Sequence, residues 1–388
     1  MLARNELELR KFFAPEFIFG CGALELTGRY ARNFGLRKVL LVTDAGVTGA
    51  GWAGRVCGSL DEAGISYEMF DCVFENPRSC EVTAGAEVYH AAECQGIVAV
   101  GGGSPMDCAK GIGIVSSNRR NILAFEGIDL VRMPGPPIIC IPTTAGSSAD
   151  VSQFAIITNE AEQRKVAIIS KTLVPDIALI DPLPLTTMNT TLTVDTGMDA
   201  FSHAIEAYVS NASSPVTDLH ALQAIGLEVS ALPDALCAPG DLQTRYRTML
   251  SSLHAGLAFS NASIGAVHAM SHSISGLFDL THGRANALLL EHVVGYNYIA
   301  APDRFDEVAR TMGLRPAGLS GHERQQALIR AIGDFRRSLG IGETLSEVGV
   351  EPGDLPELAR RAFVDPCMAT NPRRLKPEEI EEIYAAAL

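Results

Sequence analysis

The second half of the chain contains two pairs of potential metal-binding side chains, and the members of each pair lie one helical turn apart. Asp199 and His203 form the first pair, and His268 and His272 repeat the i, i+4 spacing that puts both members on one helix face. His282 follows soon after. One carboxylate and three imidazoles suit a divalent ion such as Fe²⁺ or Zn²⁺ and leave a position for a substrate oxygen. A lone helical histidine is more often structural, but several buried imidazoles need partners, so the pattern predicts a metal site.

A second chemical signal is a glycine-rich turn. The apolar run IVAV leads directly into Gly101, Gly102, Gly103 and Ser104, and the chain after them can be helical from Met106 onward. Such a turn brings backbone N–H groups to a phosphate at a helix N-terminus without a Cβ in the way. It is not the GxGxxG fingerprint, and an ordinary tight turn remains an alternative for the glycines alone. The motif predicts a phosphate-binding turn of a less common type.

Polar residues also follow two neighbouring apolar runs. Asp44 ends KVLLVT and could accept hydrogen bonds from an adenosine ribose, while its charge would repel a 2′-phosphate and favour NAD over NADP. Thr143 and Thr144, in IPTTAGSSAD, could donate to a diphosphate or to the nicotinamide end. The alternatives are a helix-cap aspartate and an ordinary Ser/Thr turn.

The elements that would position these residues differ between the two halves of the chain. Short β-branched runs separated by helical-length segments are typical of a parallel sheet in an α/β domain. These runs are KVLLVTD (38–44), GIVAVGGGS (96–104), PIICIPTT (137–144) and DIALIDP (176–182). The segment FAIITNEAEQRKVAIIS (154–170) predicts a β-hairpin appended to that sheet.

From about residue 186 the spacing of apolar residues becomes helical, so the second half is expected to be all-helical. Pro182 and Pro184 break regular structure and mark the boundary, with Thr193 or Asp195 able to cap the following helix. The prediction is therefore an α/β dinucleotide-binding domain over residues 1–185 and a helical metal-binding domain over residues 186–388.

Composition limits the classes of partner. The 388 residues include 47% apolar and 20% charged residues, which is ordinary for a globular protein. A net charge of −14 without basic clusters argues against nucleic acid and anionic membranes as partners. No uninterrupted apolar run reaches the roughly 18 residues of a membrane span, and the start MLARNELELRKFFAPEF is charged where a signal peptide is apolar. Nine cysteines without a Cys-x-x-Cys pair predict mostly buried thiols, and we expect a soluble, cytoplasmic protein.

The order and spacing of these motifs resemble the iron-containing (group III) alcohol dehydrogenases over nearly the whole chain. The matching segments are FIFGCGALELTGRY, VTD, NP (76–77), GGGSPMDCAKGIG, IPTTAG, MDAFSHAIEAYVS, VHAMSH, THGRANALLLEHV and TNPR (370–373). The resemblance implies an N-terminal dinucleotide-binding α/β domain and a C-terminal helical metal-binding domain.

The resemblance also implies roles for single residues. It makes Asp199, His203, His268 and His282 the metal ligands, and His272 a proton-transfer residue that is not a ligand. The dinucleotide contacts would be Asp44, Asn76, the turn from Gly102 to Ser104, Thr143, Thr144 and Lys165. The residues lining a substrate pocket would be Phe154, Phe259 and Cys367.

The implied activity is reversible hydride transfer between NAD(H) and small primary alcohols or aldehydes, assisted by Fe²⁺ or by Zn²⁺ or another divalent ion, in a homo-oligomer. Two aromatic rings in the pocket would leave room for unbranched aldehydes of about two to five carbons. Apart from Lys165, no cation in the matching motifs would pair with an anionic aldehyde, so we expect such substrates to be poorer.

One segment departs from the family pattern. Where the family usually reads AGTGSEVT, this chain reads AGSSADVS over residues 145–152. The change bears on substrate range and turnover, and it is the one feature that favours an alternative: a regulatory or sensing paralogue that binds NAD and metal with little turnover. A structural or assembly protein has no supporting feature, because long heptads are absent.

Overall fold

The computed structural model describes residues 9–278 and 280–388. The chain divides into two compact units. The first combines Ala14–Thr193 with Ala238–Met249, and the second combines Val194–Cys237 and Leu250–Leu388 with residues 9–13. The predicted charged start of the chain lies, for residues 1–8, outside the described residues.

The first unit is built on a parallel sheet with helices, as predicted. The strands of the unit are β1 (Glu16–Phe19), β2 (Lys38–Val42), β3 (Ser66–Phe70), β4 (Gly96–Gly101), β5 (Gly127–Ile128), β6 (Ile138–Pro142), β7 (Phe154–Asn159), β8 (Arg164–Ile169) and β9 (Ile177–Ile180). Its main sheet has six parallel strands in the order β1-β9-β6-β4-β2-β3. Its helices are α1 (Thr27–Asn33), α2 (Ala45–Gly49), α3 (Trp52–Glu62), α4 (Ser79–Ala91) and α5 (Gly103–Asn118), with short 3₁₀ helices at Ala23–Leu26, Ile122–Phe125, Lys171–Leu173 and Leu183–Thr187.

The central strands are buried on both faces. Leu40 and Val42 of β2 pack into one apolar cluster, while Val39 and Leu41 pack into the cluster on the opposite face. Alternate residues of a strand point to opposite faces, so a strand covered on both sides is apolar throughout. This explains why the central strands were found as continuous apolar runs.

The two edge strands were missed for the converse reason. Strand β3 reads Ser-Tyr-Glu-Met-Phe with one buried residue, and β1 reads Glu-Phe-Ile-Phe with none. An edge strand has one exposed side, so it does not produce the apolar run by which its neighbours were recognised.

The predicted β-hairpin is present, but its attachment was predicted wrongly. Strands β7 and β8 pair antiparallel, and β8 also pairs with β5, so the hairpin belongs to a separate three-stranded sheet. Side chains of α5 hold it there: Ile156 donates its backbone N–H to Asp107 at 3.1 Å, and Lys110 donates to the Phe154 carbonyl at 2.8 Å.

The second half is helical as predicted: within residues 186–278 and 280–388 the structure contains helices and no strand. The helices are α6 (Thr190–Val209), α7 (Pro215–Cys237), α8 (Leu242–Ala262), α9 (Ala266–Phe278), α10 (His282–Asn297), α11 (Pro302–Thr311), α12 (Gly321–Ser338), α13 (Leu355–Phe363) and α14 (Pro377–Ala387). Short 3₁₀ helices lie at Tyr298–Ala300, Pro352–Asp354 and Pro366–Thr370.

Helix α6 begins earlier than the sequence suggested. Thr193 and Asp195 were expected as candidate caps, but both lie inside the helix. The side chain of Asn189 accepts the backbone N–H of Leu192 at 2.8 Å, which is the contact of an N-cap residue. Asp195 instead pairs with Arg284 at 2.8 Å and accepts from Thr281 at 2.8 Å.

Two further expectations concern membranes and thiols. In the part of the chain that the structure describes, no helix is long and apolar enough to cross a membrane. All nine cysteines are free thiols, five of them buried and four exposed.

Candidate metal centre and dinucleotide-binding turn

Three helices of the second unit carry the predicted metal-binding side chains. Asp199 and His203 lie on α6, His268 and His272 on α9, and His282 is the first residue of α10. Gly283 allows α10 to start directly against α6, because a Cβ at this position would lie 1.9 Å from the Asp195 carbonyl oxygen. The motif His-Gly at residues 282–283 thus brings an imidazole to the helix that carries Asp199.

The donor atoms of Asp199, His268 and His282 all lie within 4.8 Å of one another, and His203 joins them through its distance to Asp199. Oδ1 of Asp199 lies 3.9 Å from Nε2 of His203, 3.7 Å from Nε2 of His268 and 3.8 Å from Nε2 of His282. A tetrahedral ion with bonds of about 2.0–2.1 Å holds its donors about 3.4 Å apart. The observed separations are close to that value.

The charges in this cluster favour a cation. Burial opposes ionisation of Asp199, but the three imidazoles around it outweigh burial and lower its pKa below the usual range. Burial likewise opposes protonation of His268, yet its interactions with the Glu206 and Asp199 carboxylates raise its pKa to about 9. The two carboxylates therefore favour positive charge beside them.

Asn286, which sequence reasoning missed, lies at the centre of the cluster. Its Nδ2 is 2.8 Å from Oδ1 of Asp199, 3.1 Å from Nε2 of His268 and 3.4 Å from Nε2 of His282, and its Oδ1 accepts from Ser271. The Asn286 amide has two hydrogens for these three acceptor atoms, so at least one acceptor lone pair in the cluster receives no hydrogen from it. The spacing of Asn286 one turn after His282 was the signal that could have identified it.

Glu206 was also missed, and it fixes the orientation of His268. Its carboxylate accepts Nδ1 of His268 at 2.6 Å and the backbone N–H groups of Val267 and Gly265 at 2.6 and 3.0 Å. A histidine held at Nδ1 by a carboxylate presents Nε2 as its ligand atom. Glu206 lies one helical turn after His203, a spacing that could have identified it.

His272 has different neighbours from the other three histidines. Its Nδ1 lies 2.8 Å from Oδ2 of Asp365, and its ring stacks on that of His282 with centroids 5.1 Å apart. Donor atoms of His272, Asp365 and Cys367 form a second group within 4.8 Å of one another. No local pattern could have pointed to Asp365, because it is 93 residues away along the chain.

Two of the expected substrate-pocket residues lie beside these histidines. Phe259 stacks on His203 with ring centroids 4.2 Å apart, and Cys367 is in the group with His272. Phe154, the third, begins β7 in the first unit and is buried.

The glycine-rich turn leads into α5, which begins at Gly103 and not at Met106 as expected. A Cβ at Gly102 would lie 3.2 Å from the Thr144 side chain, and one at Gly103 would lie 3.0 Å from the Ser147 side chain. The glycines thus let the turn pack closely against the segment after β6. It presents the N-terminus of a long helix, where an anion is stabilised.

The other predicted dinucleotide contacts cluster at one edge of the main sheet. Asp44 follows β2, the turn at 101–104 follows β4, and Thr143 and Thr144 follow β6. These three strands are adjacent and parallel, so their carboxyl ends share the edge at which doubly wound sheets bind ligands. Asp44 caps α2 by accepting the N–H of Val47 at 2.8 Å, which is the contact expected under the helix-cap alternative.

Asn76 contacts the hairpin of the smaller sheet, and Lys165 is part of its strand β8. Asn76 has a positive φ of 57° and accepts the Thr158 hydroxyl at its carbonyl oxygen at 3.1 Å. Lys165 lies opposite Thr158 in the β7–β8 pair.

The segment that departs from the family pattern contains a strained residue. Ser148 has a φ of 48°, in the left-handed region. Glycine adopts this conformation without the Cβ clash that serine incurs.

Comparisons with known proteins agree over most of the chain. Residues 14–182 match the family described as iron-containing alcohol dehydrogenase, and residues 193–388 match the Fe-containing alcohol dehydrogenase family, C-terminal. The 1,3-propanediol dehydrogenase of Citrobacter freundii is 40% identical over 371 residues, which cover 95% of this chain and 96% of that protein. The NAD-dependent methanol dehydrogenase of Bacillus methanolicus is 35% identical and covers 97% of this chain and 99% of its own length.

A solved structure agrees equally well. The crystal structure of a 1,3-propanediol oxidoreductase superposes with a TM-score of 0.95 at 39% identity and covers 98% of this chain and 100% of the other. These proteins are enzymes, and the comparisons do not support the sensing alternative. The chain belongs to the iron-containing alcohol dehydrogenase family and is an alcohol dehydrogenase.

Proposed function

We propose that this enzyme interconverts small primary alcohols and aldehydes by hydride transfer with NAD(H), using one divalent metal ion held by Asp199, His203, His268 and His282. The observation that carries the proposal is the convergence of three Nε2 atoms on Oδ1 of Asp199 at 3.7–3.9 Å. Relatives named for 1,3-propanediol and for methanol support short alcohols as substrates.

The donor set suits a divalent ion. The atoms that face one another are mostly lone-pair acceptors, and the Asn286 amide supplies hydrogens to them. Glu206 holds the His268 ring so that its Nε2 is directed at Asp199. Carboxylate and imidazole ligands suit Fe²⁺ and Zn²⁺ alike, and we propose Fe²⁺ from the family. When bound, the ion would polarise the substrate oxygen, and NAD would take up or supply the hydride.

Side chains of the protein would move the proton and line the substrate position. His272 would accept the proton released from the alcohol and return it to the aldehyde in the reverse direction. Phe259 and Cys367 would line the substrate position and limit it to unbranched chains of about two to five carbons.

The cofactor would be bound by residues of the first unit. The turn at 101–104 would bind the diphosphate with backbone N–H groups, and Thr143, Thr144, Asn76 and Lys165 would add contacts. Asp44 would accept from a ribose hydroxyl with the part of its carboxylate that Val47 does not use.

The ligand assignment is tested by metal content. We expect one divalent ion per chain after anaerobic reconstitution with Fe²⁺ or Zn²⁺, and loss of that ion in His268→Ala and in His282→Ala. The matched control is His322→Ala, which removes an exposed histidine outside the cluster. Stoichiometric metal in both ligand variants would show that the assignment is wrong.

The activity is tested with a panel of aldehydes and NADH on the reconstituted enzyme. We expect turnover of unbranched aldehydes, with bulky and anionic aldehydes poorer. Turnover confined to anionic aldehydes would refute the pocket argument. Tight binding of NAD and metal without turnover of any aldehyde would contradict the proposed substrate class.

We further propose that the enzyme acts in the cytoplasm as a homo-oligomer. Nine free cysteines suit a reducing compartment, and the family resemblance suggests assembly. Light scattering of the purified protein at micromolar concentration measures the oligomeric state.

A further inference from the structure

The His272 ring contacts Asp365 at one nitrogen and His282 at one face. Its Nδ1 lies 2.8 Å from Oδ2 of Asp365, and one face stacks on His282 at a centroid distance of 5.1 Å. The His272 and Asp365 side chains are about nine-tenths buried, at 7% and 11% exposure. Water therefore does not compete strongly for this contact, and the carboxylate determines which nitrogen of the ring carries the proton.

We propose that Asp365 is a positioning residue that keeps His272 in the tautomer with its hydrogen on Nδ1, so that the lone pair of Nε2 can accept the substrate proton. The inference rests on the proposed function, in which His272 moves that proton. An ionised carboxylate is an acceptor only, so the ring must be the donor in this hydrogen bond. The remaining nitrogen of a neutral ring is then a base.

The carboxylate of Asp365 is itself fixed. Oδ1 accepts the backbone N–H of Cys367 at 2.8 Å, as the N-cap of the 3₁₀ helix Pro366–Thr370. Oδ2 is left for His272. Because each oxygen has its own donor, the carboxylate cannot rotate without losing one of the two hydrogen bonds.

The charge state of Asp365 agrees with this role. Burial alone would raise its pKa, but His272 and the Cys367 N–H outweigh burial and lower the pKa below the usual range. At neutral pH the group is therefore an anion, which can accept the Nδ1 hydrogen and cannot donate one.

A second metal site is the competing explanation for this cluster, since donor atoms of His272, Asp365 and Cys367 lie within 4.8 Å of one another. Both oxygens of Asp365 already accept hydrogen bonds, Oδ1 from the Cys367 backbone N–H at 2.8 Å and Oδ2 from His272 at 2.8 Å. The geometry of the cluster is therefore that of a hydrogen-bonded His–Asp pair.

The test is Asp365→Asn in the full chain reconstituted with Zn²⁺, a diamagnetic ion. Asparagine can still accept the Cys367 N–H, but it faces His272 with an NH₂ group, so Nδ1 becomes the acceptor and the hydrogen moves to Nε2. We expect kcat to fall by about 10²–10⁴-fold with KM within a few-fold and metal content unchanged. A loss of kcat without a change in KM separates positioning from general damage.

The tautomer is measured directly on protein labelled with ¹⁵N-histidine. Imidazole nitrogens with and without hydrogen resonate at different ¹⁵N frequencies, and His272→Gln assigns the signals. We expect the hydrogen on Nδ1 in the parent and on Nε2 in Asp365→Asn. The control is Asp306→Asn, a buried aspartate that accepts from Tyr298 at 2.6 Å, which should change neither the His272 signals nor kcat.

The outcomes separate this inference from the proposed function. If the parent turns over no aldehyde, the proposed function fails, while the reversal of the tautomer still supports Asp365 as the residue that sets it. A parent with its hydrogen on Nε2, a reversed tautomer with unchanged kcat, or a second bound Zn²⁺ that Asp365→Asn loses would each overturn the inference.

Discussion

Two glutamates on consecutive helices of the helical unit are both buried, but within the described part of the chain one carboxylate has several hydrogen-bond donors and the other has none. Glu206 on α6 is 4% exposed and Glu228 on α7 is 1% exposed. The Glu206 carboxylate accepts from two backbone N–H groups and from His268. Among the residues that the structure describes, neither oxygen of Glu228 has a hydrogen-bond partner. The Ser251 hydroxyl does not satisfy this carboxylate, because it donates its hydrogen to the Ala224 carbonyl.

The contrast shows that burial by itself does not make a carboxylate functional. A buried charge is tolerated where donors replace water, and it is neutralised where they do not. Glu206 fixes a proposed ligand through its hydrogen bonds. Burial raises the pKa of Glu228 to about 8, so Glu228 is protonated at neutral pH.

The largest expected effect tests the Glu228 side of this comparison. Between its usual pKa of 4.5 and the folded value of about 8, the folded state retains a proton that the unfolded state releases. Stability is therefore fully present below about pH 4.5 and falls as the pH rises through 8. Relative to Glu228→Gln, the parent should lose about 3–5 kcal/mol of unfolding free energy across this range.

Urea denaturation at intervals from pH 4.5 to 9 measures the difference. Glu62→Gln, which changes an exposed glutamate at the end of α3, is the control and should give a flat difference. Parallel stability curves for the parent and Glu228→Gln would mean that Glu228 is ionised in the folded protein.

The second prediction concerns Glu206. Glutamine preserves the shape of the side chain but replaces one acceptor oxygen by a donor, which must face an N–H group. His268 then loses the contact that directs Nε2 towards Asp199, and we expect Zn²⁺ affinity to fall by about 10–100-fold. Competition with a chelator measures the affinity. Glu228→Gln is the matched control and should bind Zn²⁺ like the parent; equal affinity for Glu206→Gln would place its role in folding alone.

The smallest expected effect concerns a third carboxylate, Asp44, which is half-buried and accepts one backbone N–H. Glycine is a tolerated N-cap residue, so Asp44→Gly should cost only about a few tenths of a kcal/mol in stability. The same change removes the charge that would repel a 2′-phosphate, and it should narrow or reverse the preference for NAD over NADP. Steady-state kinetics with both cofactors checks this, and a parent that uses the two equally would contradict the assigned role.

Much of this protein could be predicted from local sequence patterns. Continuous apolar runs identified β2, β4, β6 and β9, because these strands are buried on both faces. The i, i+4 spacing placed Asp199 with His203 and His268 with His272, because that spacing defines a helix face wherever the helix lies. The resemblance to the family then implied the remaining ligand, His282, and the cofactor contacts.

Other features depend on contacts between distant segments, which local spacing does not encode. Strands β1 and β3 were missed because edge strands lack an apolar run. The hairpin was assigned to the wrong sheet because its partners, β5 beside β8 and α5 against β7, are distant in sequence. Asn189, not Thr193 or Asp195, caps α6, because Asp195 is taken by Arg284 and Thr281.

The same division runs through the site. Residue types and helical spacing indicated a metal and its candidate ligands. Packing alone decided that Glu206 holds His268 across 62 residues of sequence and that Asp365 holds His272 across 93. The physical reason is that the protonation and orientation of an imidazole depend on the atom opposite its second nitrogen, and the tertiary structure chooses that atom.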